Sequence, residues 1–273
     1  MRVLGKKIAE DIIDELNQKV LRLEKKPVLA IVYAGSNPVI ENFIKIKKTV
    51  AERLGISVRI FHFEETATTA DLVQKVSDIS LDEGFDGIIV QLPLPKTIDA
   101  SAVLNAVYPS KDIDVLSQDG FANFAKGGGV ITPPTAGAVA EVFSRYKVIL
   151  KDKKIVVVGN GALVGKPVAA WLRLQGVEPI VVTSVTENSH SIFLSADIII
   201  SGAGVPLFIK PYMVKDGVVL IDAGTSEDGG KILGDIDSAC EQKASIFTPV
   251  PGGVGPITVA ILFKNLISTI KIK

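Results

Sequence analysis

The stretch 154–167, KIVVVGNGALVGKP, runs a β-branched apolar segment into Gly159, Gly161 and Gly165 and from there into residues of helical period. Such a loop leaves backbone N–H groups unpaired at the positive end of a helix dipole, so the chemistry it suits is phosphate binding. Its spacing is GxGxxxG, which departs from the commonest dinucleotide fingerprint, and a purely structural turn is the plain alternative. A second stretch, TPVPGGVGPIT at 248–258, holds three prolines and three glycines in eleven residues and is not expected to form regular structure. Here Pro249, Pro251, Gly252 and Gly253 offer a rigid, side-chain-poor backbone that a planar ligand or a phosphate can approach closely. A connector into the last helix explains the same composition.

Phe43 and Lys47 are four apart and share one helix face, where a ring beside an ammonium suits an aromatic ligand and proton transfer. Lys45, Lys47 and Lys48 equally describe a solvated basic face, and a lone Phe a core residue. Asp112 and Asp114 alternate in Lys111-Asp112-Ile113-Asp114, and a capped turn accounts for both. Gln91 ends an apolar run and heads Leu92-Pro93-Leu94-Pro95, where the prolines forbid both helix and central strand.

The elements that must position these groups alternate. Ile8, Ile12, Leu16, Val20 and Leu23 recur every three or four residues and give a helix that Pro27 stops. Strands follow at 28–34, 56–61 and 87–91, with helices over 39–54 and 70–83 between them. Gly127-Gly128-Gly129 and Pro133-Pro134 mark a connector, after which Thr135 is placed to cap a helix whose apolar face is Ala138, Val142, Phe143 and Tyr146. Beyond it come strands at 155–158, 180–183, 197–201 and 218–222, and the glycine loop opens a helix with Val164, Val168, Trp171 and Leu172 on one stripe. Ile257, Ile261, Leu262, Leu266 and Ile270 read as a final amphipathic helix. The fold class expected is therefore two α/β domains with largely parallel sheets, the second Rossmann-like and dinucleotide-binding, with a ligand cleft between them. The first is expected to span 1–134 and to be joined by the C-terminal helix 257–273; the second spans 135–256.

An acid about twenty residues beyond the first glycine would mark recognition of an NAD ribose, but 180–184 reads IVVTS. The hydroxyls of Thr183, Ser184 and Thr186 offer hydrogen bonds without repelling an adenosine 2′-phosphate, and ordinary strand-end polarity explains them equally well. Composition narrows the rest. Among 273 residues, Lys plus Arg and Asp plus Glu balance at 30 each, so no charge excess points to nucleic acid or to an acidic membrane. Cys240 is the only cysteine and His62 and His190 the only histidines, too few ligands for a usual zinc site, and no metal is expected. The N-terminus lacks the apolar core of a signal peptide, and a cytoplasmic, membrane-free protein is expected.

The segments VVVGNGALVGKP, QLPLP, KDID, the PPT before the connecting helix, GDID at 234–237 and TPVPGGVGPIT resemble, in order and spacing, the bifunctional methylenetetrahydrofolate dehydrogenase/methenyltetrahydrofolate cyclohydrolase family across nearly the whole chain. The resemblance implies oxidation of 5,10-methylenetetrahydrofolate with NADP, hydrolysis of the methenyl product to 10-formyltetrahydrofolate, and a homodimer. It implies proton transfer by Lys47, a hydrogen bond between Gln91 and that lysine, and an Asp114 that holds the pterin. Gly159, Asn160, Gly161, Gly165, Ser184 and Thr225 fall on cofactor positions, and Phe43, Pro249, Pro251, Gly252 and Gly253 on the substrate side.

Several positions depart from the family pattern. Phe43 stands where the family has a tyrosine, so stacking on the aminobenzoyl ring survives while a hydroxyl near the lysine is lost; the alternatives left open are a dehydrogenase without cyclohydrolase activity and, given the changes at Phe43, Val115 and Asn160 together, a non-enzymatic folate or dinucleotide binder on the same scaffold. Ile40 falls where a serine is common, and Val115 where a glycine is usual, which bears on the shape of the loop around the pterin. Asn160 replaces an arginine that helps neutralise the 2′-phosphate, leaving Ser184 for that contact and NAD as a second cofactor to consider. Thr225 lies in Gly224-Thr225-Ser226, where the family has Gly-Ile-Asn.

Overall fold

A computed structural model describes residues 1–228 and 231–270. The last three positions of the expected C-terminal helix, 271–273, lie outside the described residues. The chain divides into two compact units, one of Glu10–Pro134 with Val259–Lys273, the other of Met1–Ala9 with Thr135–Thr258. No helix among the described residues is long and apolar enough to cross a membrane.

The elements open with α1 (Gly5–Val20), β1 (Val28–Ala34), α2 (Pro38–Arg53), β2 (Ser57–Phe63), α3 (Thr69–Leu81), β3 (Gly87–Val90), α4 (Ala100–Asn105) and α5 (Gln118–Ala125). Strands β2, β1 and β3 form a parallel sheet in that order, with Val32 in register with both Phe61 and Val90. Leu29, Ala30, Ile31 and Val32 of the central strand are fully buried, which is why that strand is an unbroken apolar run. Helix α2 starts where Asn37 accepts from the Val39 and Ile40 N–H groups, with Pro38 at the first helical position where its missing N–H costs nothing. On one face of the sheet Ala30, Val32, Ile88 and Val90 pack against Leu72, Val76 and Ile79 of α3.

The second half continues with α6 (Pro134–Arg145), β4 (Ile155–Val158), α7 (Gly165–Leu174), β5 (Ile180–Val182), α8 (Ser189–Ser195), β6 (Ile198–Ser201), β7 (Val219–Asp222), a hairpin of β8 (Ser226–Asp228) and β9 (Lys231–Leu233), β10 (Ile246–Phe247) and α9 (Val254–Thr269). The five-stranded sheet has the order β10-β7-β6-β4-β5, all parallel. From β4 the chain steps outward to β5 and then returns past it to β6, so the crevice at the carboxyl ends of β4 and β6 is the topological switch point.

Four expectations change. Residues 1–9 belong with the second unit because the Val3 N–H donates to Phe247 O at 2.8 Å and the Phe247 N–H to Met1 O at 2.9 Å, a backbone pairing along β10 that leaves no apolar pattern. Thr135 does not precede its helix; α6 begins at Pro134, so Thr135 lies in the first turn. The last helix begins at Val254, inside TPVPGGVGPIT, because Pro256 falls in the first turn, where no intrahelical N–H bond is lost. That helix is also not amphipathic: Ile257, Ala260, Ile261, Leu262, Phe263, Leu266 and Ile267 are all buried, so most of its circumference meets protein.

One polar side chain on α9 is buried with them. Asn265 Nδ2 donates to Ile113 O at 2.9 Å and to Thr132 O at 2.8 Å, fixing the segment that leads into Asp114. Asn265→Leu leaves both carbonyls without that donor, and a loss of about 2–3 kcal/mol is expected, read as a lowered denaturant midpoint at unchanged slope.

Candidate active site

Lys47 and Gln91 meet at the end of β3. Gln91 is the first residue beyond that strand; its N–H donates to Val32 O at 2.8 Å, so the backbone there is still held by the sheet. Its side chain is oriented at both ends: Oε1 accepts from Lys47 Nζ at 2.6 Å, and Nε2 donates to Leu92 O at 2.7 Å. The amide is buried, with 8% of its surface exposed. Lys47 reaches it from α2, where Ile40, Ile44 and Ala51 anchor the helix and Lys47 shares a face with Phe43 one turn earlier. Lys45 and Lys48 are exposed while Lys47 and Phe43 are half-buried, so the three lysines do not form one solvated face.

The two aspartates of KDID do different work. Asp112 is buried and accepts from the Leu116 and Ser117 N–H groups at 3.2 and 2.8 Å and from Ser117 Oγ at 2.6 Å, so it holds the turn into α5. Asp114 receives no hydrogen bond among the described residues, and the opposite charge acting on it is that of Lys47. Burial raises the Asp114 carboxyl to about 6, against the pull of Lys47, with Asp112 adding to the rise. Burial likewise lowers the Lys47 ammonium, with Asp114 opposing. In both groups lost hydration outweighs the attraction between them.

Val115 follows with φ at 56°, in the left-handed region, and is 4% exposed. A β-branched residue held there costs about 1–3 kcal/mol. The loop thus keeps a conformation suited to glycine although this chain places valine in it. Ile40 is buried in the base of α2 and contributes packing.

The glycine loop leaves β4 at Gly159, whose φ is +94° and whose absent Cβ would lie 2.7 Å from Gly202 O. A Cβ on Gly165 would lie 2.1 Å from Gly159 O, so this glycine lets α7 start directly against the strand end. Gly161 has nothing within 4 Å of its Cβ direction. Asn160 and Gly161 are exposed and Val164 supplies no side-chain cap to α7; the Lys166 N–H is taken by Gly161 O at 3.0 Å and Pro167 has none, so the Gly165 N–H is the first-turn donor left for an incoming anion. These features fit a dinucleotide pyrophosphate. After β5, Thr186 Oγ1 accepts from the Thr183 N–H at 2.9 Å and closes the turn, whereas Ser184 is exposed at its tip. Thr225 is exposed on the loop leaving β7.

Pro249, Pro251, Gly252 and Gly253 belong to the second unit, unlike Lys47, Gln91, Asp114 and Phe43. Their loop closes on itself through Gly253 N–H to Pro249 O at 2.7 Å, and Gly252 O accepts from the Gly5 N–H at 3.0 Å. Pro251 and Gly252 are exposed, Pro249 and Gly253 buried. Sequence reasoning gave no role to two buried acids in the same unit, Asp222 and Asp235, although one ends an apolar strand and the other lies in the GDID segment.

Comparison with known proteins bears on the whole chain. Residues 3–114 match the family model for the tetrahydrofolate dehydrogenase/cyclohydrolase catalytic domain, and 133–273 that for its NAD(P)-binding domain. The chain is 37% identical to the bifunctional protein FolD of Rickettsia bellii, over 98% of this chain and 97% of that protein. The fold is similar to the FolD methylenetetrahydrofolate dehydrogenase/cyclohydrolase of Campylobacter jejuni, at TM-score 0.94 and 32% identity over 98% of both chains. It is also similar to the Trypanosoma brucei FolD solved with NADP cofactor and inhibitor, at TM-score 0.92 and 31% identity, covering 98% of this chain and 96% of that one. The chain belongs to the tetrahydrofolate dehydrogenase/cyclohydrolase family.

Proposed function

We propose that the protein oxidises 5,10-methylenetetrahydrofolate to 5,10-methenyltetrahydrofolate with NADP and hydrolyses the methenyl product to 10-formyltetrahydrofolate. The observation that carries the reading is the contact of a desolvated Lys47 with an oriented Gln91 beside a half-buried Asp114. Bound NADP would supply the acceptor for the hydride that the folate methylene carbon loses. Gly159, Gly161 and Gly165 with the first turn of α7 would hold its pyrophosphate, and Ser184 would meet its 2′-phosphate. Positioning is most of what that step asks of the protein.

Hydrolysis asks for proton movement. Water adds to the carbon of the methenyl cation and gives up one proton; the bond from that carbon to N5 then breaks as N5 takes a proton up, and the hydroxyl left on the carbon releases its proton to solvent as it becomes the formyl C=O. Lys47, with its affinity for protons lowered by burial, takes the proton from water and returns it to N5. Gln91 holds the amine in place without adding a charge, and the Asp114 carboxylate accepts hydrogen bonds from pterin N–H groups. Phe43 offers a ring for stacking one turn from Lys47. A homodimer and a cytoplasmic setting complete this reading and are carried by the family resemblance alone.

Lys47→Met is expected to lower hydrolysis of supplied methenyltetrahydrofolate by about 100-fold or more while NADP affinity stays unchanged, and an unaltered hydrolysis rate would refute the role of Lys47. Asp114 binds as an anion with its carboxyl at about 6, so the KM for folate should climb as pH falls through that value and level off above it. In Asp114→Asn the same profile should be flat, and a persisting inflection would assign the titration elsewhere. Phe43→Tyr is expected to raise cyclohydrolase more than dehydrogenase turnover, both followed by the absorbance of the methenyl compound; equal changes would count against the part given to the missing hydroxyl.

A further inference from the structure

Asp222 at the end of β7 and Asp235 in the Gly234-Asp235-Ile236-Asp237 run are buried, at 1% and 0% exposure, and have no part in the chemistry above. Asp235 accepts from Ser201 Oγ at 2.7 Å and from the backbone N–H groups of Ala203 at 2.7 Å, Val205 at 3.0 Å and Gly204 at 3.4 Å. All four donors lie at the end of β6 or on the loop leaving it. Ala203, Gly204 and Val205 are themselves exposed, so a solvent-facing loop turns three successive amides inward onto one carboxylate.

Asp222 completes the arrangement by accepting from the N–H groups of Gly224 at 3.0 Å, Asp235 at 3.1 Å and Ile236 at 2.8 Å. Two glycines make room for the pair. A Cβ on Gly224 would lie 2.2 Å from the Asp235 carboxylate, and one on Gly234 would lie 2.1 Å from Asp222 Oδ2. Each segment therefore receives the other's carboxylate in the space its glycine leaves open. The loop they hold touches the glycine loop, since the Cβ direction of Gly159 meets Gly202 O and that of Gly202 meets the Val164 side chain at 2.2 Å. These two loops flank the switch point, the crevice where sheets of this kind bind their ligands.

We propose that Asp235 is a positioning residue for the dinucleotide: it touches no ligand, and by anchoring the Ala203, Gly204 and Val205 amides it fixes the loop that forms one side of the cofactor crevice. The proposal rests on the dehydrogenase reading above. Asp235→Asn keeps the size of the side chain but turns an NH₂ group toward backbone donors, and Ser201→Ala removes one donor while leaving the carboxylate in place.

The test measures NADPH affinity by fluorescence titration, the KM for NADP, and hydrolysis of supplied methenyltetrahydrofolate, which consumes no dinucleotide, all on the full chain. Weakening of NADPH binding by about tenfold in Asp235→Asn and about threefold in Ser201→Ala is expected, with the KM for NADP rising in step and hydrolysis unchanged. Asp235→Glu should not restore binding, because Gly224 leaves no space for a longer side chain. Unchanged NADPH affinity in Asp235→Asn and Ser201→Ala overturns the proposal, as does an equal loss of hydrolysis and NADPH binding, the mark of a merely structural role. If Asp235→Asn does not fold, Ser201→Ala decides by the same two criteria. A wild-type protein that binds NADPH but turns over no folate would sink the dehydrogenase reading while leaving the affinity comparison to judge Asp235.

Discussion

A strand buried on both faces can present polar groups only where it ends. Leu29 to Val32 of β1 and Ile155 to Val158 of β4 are enclosed on both sides, so neither stretch has a position for a charged or reactive side chain. Chemistry is displaced to the carboxyl ends, where the backbone is still fixed by its ladder and the next residue is free to differ. Gln91 follows Val90, Gly159 follows Val158, and Ser201 and Asp222 close β6 and β7. Lys47 is brought to such an end by α2, and Asp114 and Asp235 reach theirs from loops.

The same constraint explains the energetics. One amine and three acids lose much of their water, and the structure answers in two ways. Asp112 and Asp235 are surrounded by N–H and O–H donors and serve as rigid struts. Lys47 and Asp114 keep few partners, and their proton affinities move toward neutrality as a result. Satisfied acids hold shape, and under-satisfied ones remain available to a ligand.

Much of this was legible in the residues. Buried parallel strands announce themselves as apolar runs, so β1, β3 and β4 and the positions of Gln91 and Gly159 could be read directly. Lys47 could not be separated from Lys45 and Lys48 by pattern, because helical spacing does not say which lysine faces a strand end. The pairing of Met1 and Val3 with Phe247 uses backbone alone, and backbone bonding has no signature in side-chain type. Asp235 was hidden for a related reason: three of its four partners are backbone amides, and the clue was the glycine at 224, on a separate segment. Val115 reads as an ordinary core residue, and only its backbone shows that it occupies a position made for glycine.

The doubly anchored amide of Gln91 also gives the site a direction. With Nε2 committed to the Leu92 carbonyl, Oε1 is the only atom it can turn toward Lys47, and it can only accept. Lys47 must therefore keep an N–H pointed at Gln91 in either protonation state. When the amine is neutral, its lone pair is the feature that must point elsewhere, away from the glutamine. An amide that never changes its own charge thus decides which side of the lysine is basic.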